Sequence, residues 1–198
     1  MRLGKERSAL GEGVFVPQPR LPRRAAVWLL GCWFAMGFPS RAQDSGPTQY
    51  QIKAAFLYNF VKFVEWPAQA YAGPTAPTVI GVLGENVFGD DLEKTLRDKV
   101  INHHPLEFKK FDSVGEVTNC HVLFIGASER RHFQDILGAL RDKSILTVSD
   151  SERFLQDGGM INFIIVDRRV RFQINNDPAK KAGLVLSSDL LNLAVPAR

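Results

Sequence analysis

The chain has 198 residues, 45% apolar and 23% charged, which suffices for one domain with its own core and is ordinary for a globular fold. Its formal net charge of +4 sits at one end: residues 1–42 hold seven Lys/Arg and two acids, and the remainder holds eighteen basic and nineteen acidic residues. Without a clustered basic footprint on the folded part, nucleic acid is excluded as the expected partner.

The first segment has the layout of a secretory leader. Arg23 and Arg24 precede the apolar run AAVWLLGCWFAMGF, and PSRAQ follows with Ser40 and Ala42 where a signal peptidase reads small residues. Residues 1–42 are expected to be a signal peptide removed after Ala42, which places the mature chain in the periplasm. The apolar run, Ala25 to Phe38, is too short to cross a bilayer core of about 30 Å. LLGC offers a lesser alternative, a lipoprotein acylated at Cys32. After cleavage Cys120 is the one cysteine left, so no internal disulfide is available. It is expected as a packed thiol, with an intermolecular disulfide as the alternative.

YQIKAAFLYNFVKFVEWP follows a polar lead-in. At 100° per residue, Ile52, Phe56, Leu57, Phe60, Val61, Phe63 and Val64 share one face and Gln51, Tyr58, Asn59, Lys62 and Glu65 the other. This spacing predicts an amphipathic helix ended by Pro67. Lys53 falls on the apolar face, where it either snorkels to water or pairs with a carboxylate at a sheet edge or subunit contact. TVIGVLG reads as a strand buried on both faces. A helix over GDDLEKTLRDK, a short strand near Leu106–Phe111 and a strand at CHVLFIG come next. A helix over ERRHFQDILGALRDK with Ser128 as cap, a strand at SILTVSD and a short helix at RFLQDGG continue the pattern. MINFIIVD and RVRFQIN, on either side of Arg168-Arg169, read as a β-hairpin. A short helix capped by Asp177 and a last one capped by Ser187 or Ser188 close the chain. The alternation predicts an α/β fold, a mainly parallel sheet with helices on both faces and a C-terminal β-hairpin at the sheet edge, as one domain over residues 43–198.

No nucleophile elbow, phosphate loop, zinc motif or dinucleotide fingerprint occurs, so no catalytic residue, metal or cofactor is assigned. The adjacent His103 and His104 would point to opposite faces of a strand. In open α/β sheets, ligands bind beyond the carboxyl ends of strands. Those ends offer Glu85, Asn86, Ser128, Ser149 and Asp150 as candidates for a small polar ligand, or else as caps and turns. Tyr58, Lys62, Arg168 and Arg169 are the candidate partner-binding residues, on the outer side of the first helix and on the hairpin.

Four blocks, KAAFLYNFVKFVEWP, IGVLGENVFGDDL, GGMINFIIVDRRVRFQIN and AKKAGLVLSSDLLNLA, occur in order and together resemble the YfiR-like family of bacterial periplasmic proteins. The resemblance covers nearly the whole mature chain. It implies an α/β sandwich, usually a homodimer, with a regulatory role. The best-known member represses a membrane-bound diguanylate cyclase by binding its periplasmic sensor part, so weaker repression means more cyclic-di-GMP and more biofilm. That member carries cysteine pairs that this chain lacks, which removes redox control through internal disulfides. A sensor histidine kinase is the alternative partner, and a small-ligand receptor the alternative role. The resemblance carries no catalytic residue over.

Overall fold

The computed structural model describes residues 47–196, and the leader expected over residues 1–42, with Cys32, lies outside them. The first helix, α1, spans Gln49–Phe63. Thr48 caps it in a reciprocal box: its hydroxyl accepts from the Gln51 N–H at 3.2 Å, and the Gln51 side chain accepts from the Thr48 N–H at 2.9 Å. The helix ends earlier than Pro67 alone dictates. Val64–Glu65 is already extended, as strand β1, and pairs with a strand near the C-terminus.

Next come β2 (Thr78–Leu83), α2 (Asp91–Leu96), the short β3 (Val100–Ile101) and β4 (His104–Phe111). β5 (Val122–Ile125), α3 (Phe133–Leu140) and β6 (Leu146–Ser149) follow. The hairpin is β7 (Ile161–Val166) and β8 (Arg169–Ile174), and α4 (Asn176–Lys181), β9 (Val185–Leu186) and α5 (Ser188–Leu193) complete the chain. Seven strands form one sheet in the order β3-β4-β2-β5-β6-β7-β8; β1 and β9 pair separately. The pairs among β4, β2, β5, β6 and β7 are parallel, and the two outermost pairs are antiparallel. The expected fold class is therefore the observed one.

Several local expectations need correction. The helix read over Gly89–Lys99 is only α2: Arg97 leaves the helical region at ψ 131°, and Asp98 beyond it is left-handed at φ 59°. The stretch before α3, Ala127–His132, is a 3-10 turn, and the Ser128 hydroxyl serves the Glu85 N–H instead of capping a helix. The segment around RFLQDGG is a run of turns, since Arg153 has φ 66° and Gly158 φ 104°. Asn175, not Asp177, caps α4. The hairpin turn is Asp167-Arg168, both left-handed as a two-residue I′ turn requires, so Arg169 already belongs to β8. His103 likewise lies in a left-handed turn, not on a strand.

All six residues of β2 are buried, as a strand covered on both faces must be. On one face lie Ile80, Val82, Val122, Phe124, Ile161 and Phe163, roofed by α1, α2 and α5. On the other lie Leu83, Leu123, Ile125, Phe133, Ile136 and Phe154, roofed by α3. The aromatic density of α1 has a direct cause. Phe56 and Phe60 both pack on Phe163 and Phe172 of the hairpin, with ring centroids 5.2 to 5.9 Å apart; Phe60 stacks on Phe163, and both meet Phe172 edge to face. Lys53, Ala54, Leu57, Phe60 and Val61 are the buried residues of α1. Among the described residues no helix is long and apolar enough to cross a membrane.

Gly81 shows how tightly the second face is filled. A Cβ there would lie 2.5 Å from Phe111 Cε2 and 3.0 Å from the Cys120 sulfur. Gly81→Ala is expected to lower unfolding free energy by about 1–3 kcal/mol through overpacking, measured by urea titration. Cys120 itself is buried, with its Sγ 3.2 Å from the Val122 carbonyl, and burial pushes the thiol up to about 12. It is the packed thiol of the sequence reading.

Candidate functional site

Two contacts fix the direction of α1 over the sheet. Near its start, Lys53 Nζ is 2.6 Å from Asp150 Oδ2, just past the carboxyl end of β6. Beyond its end, the Trp66 indole N–H donates to the His121 carbonyl at the amino end of β5, at 3.2 Å. The helix therefore runs opposite to the parallel strands. Its first turns lie with the strand carboxyl ends, and its last turn lies at the other end.

This direction decides which candidate residues can act together. Lys62 is exposed and stands 4.2 Å over the Tyr58 ring, so these two make one cation–π patch on the second half of α1. Tyr58 is half-buried and packs on the core, so the sequence reading left it too free. Arg168 and Arg169 are exposed at the hairpin tip, at the carboxyl-end level of the sheet. The structure places the two candidate pairs at different ends of the domain.

The five strand-end candidates do gather at one end, on adjacent strands, yet most of their polar atoms serve the backbone. Ser128 Oγ accepts from the Glu85 N–H at 3.1 Å. Asn86 closes its own turn, accepting from Phe88 N–H and donating to the Gly89 carbonyl. Ser149 Oγ donates to the Ile125 carbonyl at 2.8 Å and is fully buried. The chain passes from β2 out to β4 and returns to β5 on the other side of β2, which makes the β2/β5 crevice the topological switch point. Gly84, with φ 88°, turns the chain there, and the side chains of Ser128 and Glu129 occupy the space over it.

Asp150 stands apart from these four. Its carboxylate meets Lys53 beneath α1, where the side chains are 14% and 7% exposed. The Lys53 ammonium also lies 4.6 Å from the Tyr50 ring centroid. Burial first, then the charges of Asp150 and Glu85, hold the Tyr50 phenol above its usual 10.0. Asp150 also lines a cleft of about 790 Å³ with Ala127, Arg130, Arg131, Ser151 and Arg153. Of these arginines, the sequence reading singled out none. The signal was the doublet Arg130-Arg131 on one loop and Arg153 on another, and only the fold joins them.

At the opposite end, Tyr71 is sandwiched between His104 and His121, with ring centroids 4.0 and 4.3 Å away. His121 Nδ1 accepts from the Val79 N–H at 3.1 Å, which fixes the neutral ring. Burial first, then the neighbouring His104, lowers its pKa from 6.5 to about 4. Among the described residues no group of three or more His, Cys, Asp or Glu is placed to hold a metal ion.

The mainly parallel sheet, the α1 roof and the hairpin at the sheet edge are those the sequence reading expects. A family model described as YfiR/HmsC-like matches residues 50–195, from the second residue of α1 to the last but one of the described residues, and the chain belongs to that family.

Proposed function

We propose that this protein is a periplasmic regulator that binds the periplasmic part of a membrane signalling enzyme, a diguanylate cyclase, and holds it in its inactive state. The observation that carries this reading is the family match over residues 50–195, since the family is one of regulators of such enzymes. A regulator of this kind acts by binding one state of its partner better than the other. In this reading the leader is cleaved, residues 43–198 act as one domain, and a homodimer presents two copies of the contact to a two-fold partner. Repression lowers cyclic-di-GMP and with it biofilm.

The candidate contacts are Tyr58 with Lys62 on α1, and Arg168 with Arg169 on the hairpin. Because Tyr58 is packed, Lys62→Glu and Arg168→Glu are the cleaner tests. Each is expected to weaken capture of the purified periplasmic domain of the cyclase by about tenfold, with the melting temperature unchanged. Capture at wild-type affinity by both variants would remove these residues from the interface.

A second reading, a small-ligand receptor acting on a cyclase or a sensor kinase, is favoured by the cleft beside Asp150. A ligand there would touch the residue that holds α1, and could release the partner through coupling between the two sites.

A further inference from the structure

Among the described residues, no helix covers the outer part of the hairpin face turned away from α1; its inner end is covered, with Asn162 buried and the Gln173 amide donating to the Pro196 carbonyl at 3.1 Å. Val170 and Phe172 of β8 point into the α1-side core, so Arg169, Arg171 and Gln173 point to the other side. Their cross-strand partners there are Val166, Ile164 and Asn162. The core under α3 contains no residue of β7 or β8. Val166 is 37% exposed, and Arg169 and Arg171 are exposed.

This bare ladder is continuous with the strand-end cleft. Arg153 lines the cleft with Arg130 and Arg131, and it also lines a second hollow of about 280 Å³ with Asn162 and Gln173. Six of the eight arginines in residues 47–196 lie on this path or at the adjoining hairpin tip. None of the six forms an ion pair among the described residues. Arginine is the cation best matched to carboxylates, through its planar fork. The acids of the same region, Asp135, Glu152, Asp157 and Asp167, are fewer, and Asp150 is taken by Lys53.

We propose that the outer part of this face of β7–β8, with Arg169, Arg171, Ile164 and Val166, running through Arg153 into the cleft, is a docking surface for an extended acidic, partly apolar segment of a partner polypeptide. A path over two hollows joined by one arginine suits a chain better than a single small molecule. A peptide supplies carboxylates for the arginines and apolar side chains for Val166 and Ile164. The inference rests on the regulatory reading above and specifies one contact with the partner, at the hairpin end of the domain.

The test uses two fluorescein-labelled hexapeptides, Glu-Val-Asp-Val-Glu-Val and its lysine counterpart Lys-Val-Lys-Val-Lys-Val, with anisotropy as the readout. The acidic peptide is expected to bind, the basic one not. Arg169→Glu/Arg171→Glu is expected to weaken binding by about tenfold and Lys180→Glu/Lys181→Glu on α4 to leave it unchanged. Absence of acidic-peptide binding, or equal loss in both variants, overturns the proposal. Complete competition by inorganic phosphate that itself binds at the cleft also overturns it and leaves a small-anion site in its place. A complementation arm separates this inference from the reading it rests on. If deleting the gene raises cyclic-di-GMP but the Arg169→Glu/Arg171→Glu form represses fully, the docking face is wrong and the regulator stands. If deletion changes nothing, the regulator fails whatever the peptide does.

Discussion

Lys53→Ala is expected to lower the unfolding free energy by about 3–5 kcal/mol, the range for stranding one partner of a buried ion pair. The cause is specific. Lys53 sits on the apolar stripe of α1 between the positions that pack on the sheet, and its ammonium is 2.6 Å from Asp150 in a nearly closed site. Removing the cation leaves a mostly buried carboxylate without its partner, at the edge of the strand-end cleft. The double change Lys53→Met/Asp150→Leu is expected to restore most of the loss, because two apolar groups of similar volume avoid the desolvation that the pair has to offset. Urea titration of the wild type, the single variant and the double variant measures both effects. If Lys53→Ala costs under about 1 kcal/mol, the pair is solvated and α1 is held by its aromatic rings alone.

Acid is expected to weaken the fold through His121. Its pKa in the folded state is about 4, against 6.5 for an ordinary histidine. The unfolded chain therefore binds the proton more readily than the folded one between these values. Stability is full above about pH 6.5, falls as pH drops toward 4, and loses at most about 3 kcal/mol from this group. The geometry gives the same sign. The proton would have to enter at Nδ1, which already accepts from the Val79 N–H, in a ring stacked on Tyr71 with His104 on that tyrosine's far face. His121→Asn, which keeps a side-chain acceptor, is expected to flatten the stability profile between pH 6.5 and 4. Carboxylates add their own slope at the acid end, so the informative quantity is the difference between wild type and variant. A parallel pair of profiles would show that His121 titrates normally.

The sequence carried the architecture because its strongest signals are periodic. The continuous apolarity of β2 and β5, the 3.6-residue stripe of α1 and the alternation of β8 each follow from burial on two faces, one stripe or one face. Element ends were read less well where a backbone angle decided them. Arg153, Asp98 and His103 take left-handed φ values that no local pattern of side chains announces. Lys53 was visible as an anomaly from its helical angle; the fold supplies the carboxylate partner that one alternative expected, at the carboxyl end of the inner strand β6 instead of at the sheet edge. The strand-end candidates were placed correctly at one end of the sheet, but their hydrogen bonds belong mostly to turns, which residue type alone does not reveal. The arginine path was out of reach for a plainer reason. It joins three loops and an edge strand separated by up to about forty residues, and only the β5-β6-β7-β8 order brings them side by side.

The central claim, repression of a membrane cyclase from the periplasm, is tested most directly by cellular cyclic-di-GMP. It would be measured in the parent strain, in the deletion strain, and in the deletion strain carrying either the full gene or a copy lacking residues 1–42. The account predicts a rise on deletion that the full gene reverses and the copy without the leader does not. An unchanged level on deletion, or rescue by the copy without the leader, would contradict it.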